Sequence, residues 1–442
     1  MKFLPQEIIR IKRNGNPLTA SQLHDFSQGI ASGEVSNAQI AAFAMAVYFQ
    51  DLSVQERIDW TNAVKSSGFT IDWSNMSIPG PILDKHSTGG IGDGVSLMLA
   101  PMLAACGANI PMIAGRGLAH TGGTIDKLES IPGYNTGLPI EEFKRVVKNV
   151  GCSIIRQTEE LAPTDSRVYS VRDVTSTVES IGLITASIIS KKLAAGISSL
   201  VLDVKTGNGA VMQDLDESRI LAKSLVDVAN GAGVKTTALI TDMSQPLSYN
   251  AGNSLEILEA IEFLKGGGSH PRLTECVYAL GSRALVDSGL SDSIDQANQS
   301  LKNSVSNGLA LEKFAQMISA MGGDASVIEN TNILPKASVV KPVYADKTGY
   351  VSSFDLRAIG MSIVSLGGGR TAPSQSINHS VGFQNIVQAG TQVSPDKNSQ
   401  PLCFIHASSE KDCEEAGRKI VESILIEDEP CNFAPLFHEI VQ

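Results

Sequence analysis

The sequence predicts an α/β protein: a small all-helical domain, then a larger mixed α/β domain with a mostly parallel sheet, closed by a C-terminal α+β portion. Three observations predict it. Three helix-start signals follow one another inside the first 65 residues. From about residue 80 short β-rich runs alternate with helical patterns, and from roughly 337 short strands dominate again.

Thr19-Ala-Ser-Gln22, Ser36-Asn-Ala-Gln39 and Ser53-Val-Gln-Glu56 each match the capping box. In that box a hydroxyl and the residue three later satisfy the orphan amides of a helix start. Gly33 stops the first of these helices, and apolar residues at 40, 43, 44, 47 and 48 give the second a buried face. Three short helices are expected here. From Gly94 to Gly115 no residue is charged, a stretch about as long as a membrane span. Pro101, Gly107, Asn109 and Pro111 interrupt it, so it reads as a buried helix over 95–106, a turn and a buried strand over 110–114. Strands are expected around 154–155, 199–204 and 237–240, and helices over 178–195, 217–230 and 253–265. Such alternation argues for a mostly parallel sheet covered by helices. The segment 178–195 is apolar on more than one side, which suits a helix lying between domains. Strands follow at 338–345, 349–352 and 402–406, with Gly367-Gly-Gly-Arg370 between the last two, and a helix spans about 411–425.

Composition narrows the function classes. Hydrophobic residues make up 42% and charged residues 18% of 442, an ordinary globular balance that argues against a largely disordered chain. The net charge of −11, with no Lys/Arg run to reverse it locally, argues against nucleic acid and anionic membranes as partners. Six cysteines lie at 106, 152, 276, 403, 413 and 431, none in CxxC spacing. A reducing, cytoplasmic setting is therefore expected rather than a disulfide scaffold or Cys-based zinc site. The N-terminal MKFLPQEIIRIKRNG has no apolar signal core.

The chemistry concentrates in two glycine-rich segments. Asp84-Lys-His-Ser-Thr-Gly-Gly-Ile-Gly-Asp93 follows an extended apolar piece and precedes a helix. Glycines let backbone amides approach an anion, a helix N-terminus adds partial positive charge, and Lys85 adds a full one. Ser87, Thr88 and Ser96 offer hydroxyls. It is no Walker A loop, because no GK[ST] ends it. Gly115-Arg-Gly-Leu-Ala-His-Thr-Gly-Gly-Thr124 is a second such loop after an apolar strand. Two such loops at the ends of neighbouring strands would share one anion pocket at the carboxyl edge of a parallel sheet. His86 is the foremost general acid or base candidate among seven histidines, and His120 the second. His24, His270, His379, His406 and His438 lack chemical company. Ser187 and Lys191, four apart, share one face of a helix. Lys191 reads either as functional or as a solvated helix-end residue, and Arg172–Asp173 either as functional or as a surface ion pair. No catalytic metal has an evident ligand set, and no cofactor motif occurs.

Together, Asp84-Lys-His-Ser-Thr-Gly-Gly, the loop through Thr124, Asp126-Lys-Leu-Glu-Ser-Ile-Pro132 and Ser187…Lys191 resemble the pyrimidine-nucleoside phosphorylases, over nearly the whole chain. The resemblance implies reversible phosphorolysis of thymidine (and deoxyuridine) to the base and 2-deoxyribose 1-phosphate, with phosphate as co-substrate, no cofactor, and a homodimer. Lys85, Ser87, Ser96 and Thr124 would bind phosphate. His86, Arg172, Ser187 and Lys191 would hold the pyrimidine, with His86, Arg172 and Lys191 catalytic. The helical domain would combine 1–66 with 164–194. The α/β phosphate-binding domain would combine 81–155 with 198–336, and 337–442 would be the C-terminal α+β portion. Met112 stands where uridine-accepting relatives carry a lysine, and so implies selectivity for 2′-deoxyribose. Ala114 replaces a serine whose hydroxyl such enzymes use on phosphate, and Lys205-Thr-Gly-Asn-Gly-Ala-Val211 also departs from the usual pattern. Some relatives bind potassium through backbone oxygens and a carboxylate, for which Glu259 is the candidate. The alternatives are an enzyme that also takes uridine, a Mg²⁺-dependent phosphoribosyltransferase of the anthranilate type, and a non-catalytic nucleoside-binding protein.

Overall fold

The computed structural model describes residues 2–442 apart from 118, 119, 159, 372–374 and 432, and at 173 the backbone alone. The chain opens with helices α1 (Pro5–Arg13), α2 (Ala20–Ser32), α3 (Asn37–Gln50) and α4 (Val54–Lys65). All three capping boxes form, with the hydroxyl and the amide or carboxylate partner both engaged. Each hydroxyl cap stabilises its helix by about 1 kcal/mol. Helix α1 lies outside the three expected: it starts on Pro5, preset for the first helical turn, and has no capping hydroxyl. Glu56 also pairs with Lys12 at 2.8 Å and accepts from the Leu18 amide at 2.8 Å, so one buried carboxylate starts α4 and anchors α1.

The larger part begins with β1 (Leu83–Ser87), α5 (Val95–Ala105), β2 (Ile110–Ala114), α6 (Thr124–Leu128), α7 (Ile140–Val150) and β3 (Cys152–Arg156). Two further helices, α8 (Pro163–Val174) and α9 (Ile181–Ala194), follow. The sheet resumes with β4 (Ser199–Thr206), α10 (Leu215–Gly231) and β5 (Lys235–Asp242), then α11 (Asn253–Leu264), α12 (Pro271–Asp287), α13 (Ile294–Ser306) and α14 (Leu309–Ala320). The C-terminal portion holds β6 (Val339–Val343), β7 (Gly349–Phe354), α15 (Leu356–Ser365), β8 (Gly382–Gln384), β9 (Gln392–Val393), β10 (Cys403–Ala407), α16 (Glu410–Ser423), β11 (Ile424–Glu427) and β12 (Phe437–Val441).

Helices α8 and α9 return to the first four. Ile8, Phe26, Phe43, Trp60, Val168, Val171, Leu183 and Ala186 share one hydrophobic cluster. Arg167 of α8 donates to the carbonyls of Ile30 and Val35, and Thr164 and Ser27 exchange hydroxyl bonds. A second, larger cluster fills the rest of the molecule.

The main sheet has the order β1-β4-β5-β12. Its first three strands are parallel, and β12 closes the edge antiparallel to β5. β2 and β3 form a parallel pair, and a single parallel bridge between Ile82 and Asn109 sets that pair beside β1. The carboxyl ends of β1 and β2 therefore adjoin. The uncharged segment resolves into α5, buried from Val95 to Ala104, and buried β2. Among the described residues no helix is long and apolar enough to cross a membrane. Two antiparallel three-stranded sheets, β6-β10-β8 and β11-β7-β9, make the C-terminal portion with α15 and α16.

Candidate active site

β1 reaches further than the sequence reading allowed: Lys85, His86 and Ser87 stand on the strand itself, and the glycine loop starts after them. Alternation along a strand then divides the motif between two faces. Lys85 and Ser87 turn toward the start of α5. The Lys85 ammonium lies 3.4 Å from Ser96 Oγ and 3.9 Å from Asp93 Oδ1, and the Ser87 hydroxyl donates to Asp93 Oδ2 at 2.6 Å. Asp84 and His86 turn toward α9. Asp84 Oδ2 takes a 2.6 Å bond from Lys192, whose ammonium also donates to the Ile113 carbonyl at 3.1 Å.

The loop between β1 and α5 needs its glycines. Gly92 has φ +72°, and a Cβ there would sit 2.6 Å from Ser248 Oγ. Thr88 spends both its polar groups on β4: its amide donates to the Asp203 carbonyl, and its hydroxyl accepts from the Lys205 amide at 2.9 Å. The second loop closes on itself. Any Cβ on Gly123 would collide with the backbone of Arg116 and Gly117. Thr124 follows at once as the first residue of α6. His120 in this loop is held through Nε2 to the Gly209 carbonyl at 3.1 Å. Burial lowers its pKa.

Charges are dense and mostly buried. Burial works against the Asp93 carboxylate, but Lys85, Lys205 and Lys127 outweigh it and hold its pKa below the ordinary range. The His86 pKa lies well below its ordinary value, through burial first and then the positive charges of Lys192, Lys85 and Lys191, with Asp93 opposing. The shift favours the neutral imidazole. The bond from Lys192 of α9 to Asp84 of β1 brings the helical lobe and the sheet to one place.

On the helical side, Lys191 donates to Asp165 Oδ2 at 2.6 Å and to Ser187 Oγ at 2.9 Å. The solvated helix-end alternative does not hold, because only a fifth of the Lys191 side chain is exposed. Arg172 is 1% exposed and donates to the carbonyls of Thr177 and Val178, so the surface ion-pair alternative fails too. Burial pushes its pKa down, with Asp165 and Tyr169 opposing. Asp165 is the residue that sequence reasoning missed. Its only signal was a place seven positions before Arg172 on the same helix, on one face with it.

Met112 is buried at 2% exposure in the middle of β2, and Ala114, at the end of that strand, is half-buried. Glu259 is buried on α11, and Asn250 Nδ2 donates to one of its oxygens at 3.0 Å. Burial and then Glu256 push its pKa up to about 7. Among the described residues no group of three or more His, Cys, Asp or Glu is placed to hold a metal ion. A cavity of about 590 Å³ lies elsewhere, between Asn208, Gln213 and the C-terminal portion around Lys347, Arg357 and Ile424, and shares no lining residue with this site.

Residues 6–68 match the glycosyl transferase family helical bundle domain, and residues 79–311 that family's a/b domain. Residues 350–427 match the pyrimidine nucleoside phosphorylase C-terminal domain. The chain is 49% identical over 438 residues to the thymidine phosphorylase of Colwellia psychrerythraea, covering 99% of both chains. Its fold is similar to the crystal structure of anthranilate phosphoribosyltransferase from Thermus thermophilus, with a TM-score of 0.59 at 15% identity over 71% of this chain and 99% of that one. The chain belongs to this glycosyl transferase family and, within it, to the pyrimidine nucleoside phosphorylases.

Proposed function

We propose that the enzyme catalyses the reversible phosphorolysis of thymidine, and of deoxyuridine, to the free pyrimidine and 2-deoxy-α-D-ribose 1-phosphate. The observation that carries this reading is the sorting of β1. Lys85 approaches Ser96 of α5 and Ser87 donates to Asp93 just before that helix, while the next strand residues on the other face, Asp84 and His86, lie toward α9, where Lys192 binds Asp84. The name of the Colwellia relative supports the substrate.

In this reading Lys85, Ser87, Ser96 and Thr124 bind phosphate, and His86, Arg172, Ser187 and Lys191 bind the base. A phosphate oxygen forms a bond to C1′ as the bond from C1′ to N1 breaks, and the pyrimidine leaves with the electron pair and takes up the proton that the attacking hydrogen phosphate gives up. Arg172 and Lys191 stabilise the anion that develops on the base oxygens. Neutral His86 donates one N–H to the base, acting as a polar clamp rather than as an imidazolium acid. Phosphate is a competent nucleophile, so no covalent enzyme intermediate is required. The protein supplies orientation and exclusion of water. Met112 lines the ribose side as an apolar wall, so a 2′-hydroxyl would lose water without gaining a partner. No cofactor takes part. The protein acts as a homodimer, and the exposed Met45, Tyr48 and Phe49 on α3 offer an apolar stripe for a second copy.

Base release from thymidine, deoxyuridine and uridine, with and without inorganic phosphate, tests this. Phosphate-dependent release is expected, with deoxyuridine favoured over uridine by ~1–3 kcal/mol in kcat/KM. No release with phosphate present would leave only a binding protein. Equal use of uridine and deoxyuridine would remove Met112 from sugar selection.

A further inference from the structure

The Gly367-Gly-Gly-Arg370 motif belongs to none of the groups above, yet it reaches the second glycine loop. Arg370 Nη1 donates to Asp126 Oδ1 at 2.6 Å, and only 14% of the Arg370 side chain is exposed. The same oxygen takes a 2.9 Å bond from Arg116 at the other side of the loop. Asp126 Oδ2 accepts from the Gly117 amide at 2.8 Å. Arg116 is fastened in turn to Glu129 at 2.5 and 2.8 Å, and Glu129 accepts from Thr136 at 2.6 Å. Asp126 is therefore the clasp across the neck of the loop, and two arginines, one at the start of the loop and one from the C-terminal portion, donate to its one oxygen.

The C-terminal portion touches this loop at a second point. Gly360 of α15 packs so closely on the His120 carbonyl that a Cβ there would collide with it. Thr124 stands two residues before Asp126, on the first turn of α6.

We propose that Arg370 is a positioning residue for the phosphate site: it fixes Asp126, and through Asp126 the closed neck of the loop, so that Thr124 and the loop amides face the anion. This rests on the reading that the loop binds phosphate. Charge-assisted bonds to a carboxylate 4% exposed are strong and directional, which suits them to hold a backbone in one register. Arg370 touches no substrate in this scheme. It gives the C-terminal portion a direct part in a site built by the α/β portion.

The experiment compares Arg370→Gln, Arg370→Lys and Asp126→Asn with the wild-type full chain. It reads the KM for phosphate at saturating thymidine, the KM for thymidine at saturating phosphate, kcat and the thermal midpoint. Arg370→Gln is expected to raise the phosphate KM by about tenfold and to leave the thymidine KM within about twofold. Arg370→Lys should recover part of the loss. Because both residues act through one bond, Arg370→Gln combined with Asp126→Asn should be no worse for phosphate than Asp126→Asn alone. Three results would overturn the inference: an unchanged phosphate KM, equal shifts in both KM values, or additive losses in the double variant. If Arg370→Gln fails to fold, the double-variant comparison is made with Arg370→Lys and decides by the same criterion. Absence of phosphorolysis in the wild type would instead overturn the functional reading.

Discussion

The pair Asp84–Lys192 predicts a large and distinctive response. Asp84 is fully buried and the Lys192 side chain is 3% exposed, with 2.6 Å between Oδ2 and Nζ. Changing Lys192 to Met keeps length and packing but leaves the Asp84 carboxylate, among the described groups, with the Lys85 amide, which donates to Oδ1 at 2.7 Å. Breaking one side of a buried pair costs ~3–5 kcal/mol. With unfolding entropy of ~2.1 cal/mol/K per residue over 442 residues, each kcal/mol moves the midpoint by about 1 °C, so the loss is about 3–5 °C. Asp84→Asn should cost a similar amount, because it strands the ammonium of Lys192. The double variant should cost less than the sum by at least ~2 kcal/mol. Calorimetry of the four proteins measures this. The pair also joins β1 to α9, one residue from His86's neighbour Lys85 and next to Lys191. Lys192→Met should therefore lower kcat at temperatures where it remains folded. Single variants each costing less than about 1 kcal/mol, or a double variant equal to their sum, would refute the reasoning.

Arg172→Ala and Lys191→Ala should each lower kcat/KM for thymidine by about 10–150-fold, the worth of one charge-assisted bond of ~1.5–3 kcal/mol; near wild-type values would remove them from transition-state stabilisation. His86 has a depressed pKa in the folded chain and an ordinary one near ~6.5 when unfolded, so it binds a proton less readily when folded. Its contribution to stability is intact above the unfolded value and is lost as pH falls from there toward the folded one; His86→Gln should flatten that part of a pH–stability profile, and an identical profile would contradict the assignment. Ala114→Ser should tighten the phosphate KM several-fold, up to ~1.5–3 kcal/mol if no water now fills the gap, without altering the thymidine KM; an unchanged phosphate KM would show that position 114 does not face the anion.

What could be read from the sequence followed from local chemistry. The capping boxes at Thr19, Ser36 and Ser53 announced their helices because their partners lie three residues away. The uncharged stretch from 94 divided correctly because Gly107 and Asn109 break it between α5 and β2. Helices α12, α13 and α14 were not singled out, and α16 was placed without the strand β11 that follows it directly. There the chain passes from helix to strand at Ser423–Ile424 with no glycine or proline to mark it. Of the candidate site, Lys85, His86, Ser87, Ser187 and Lys191 were legible because hydroxyls, cations and glycines crowd together. Asp165 was not, since its bond to Lys191 depends on α8 and α9 packing side by side. Nor was the reach of Arg370 to Asp126, across 244 residues of sequence.

The two-part helical lobe has a consequence for how the molecule is made. Helices α1–α4 are complete by Lys65, but Val168, Val171, Leu183 and Ala186, which cover their apolar faces, come about a hundred residues later. At a synthesis rate of ~5–20 residues per second, those faces wait about 5–20 s for their cover. The intervening segment must meanwhile lay down β1, β2 and β3, which do not join the lobe's cluster. A fragment ending near residue 66 would therefore be left with an open apolar surface, whereas one ending after Ala194 contains every residue of that cluster. The boundary at which an expressed piece becomes soluble should accordingly fall after α9, far beyond the end of the first four helices.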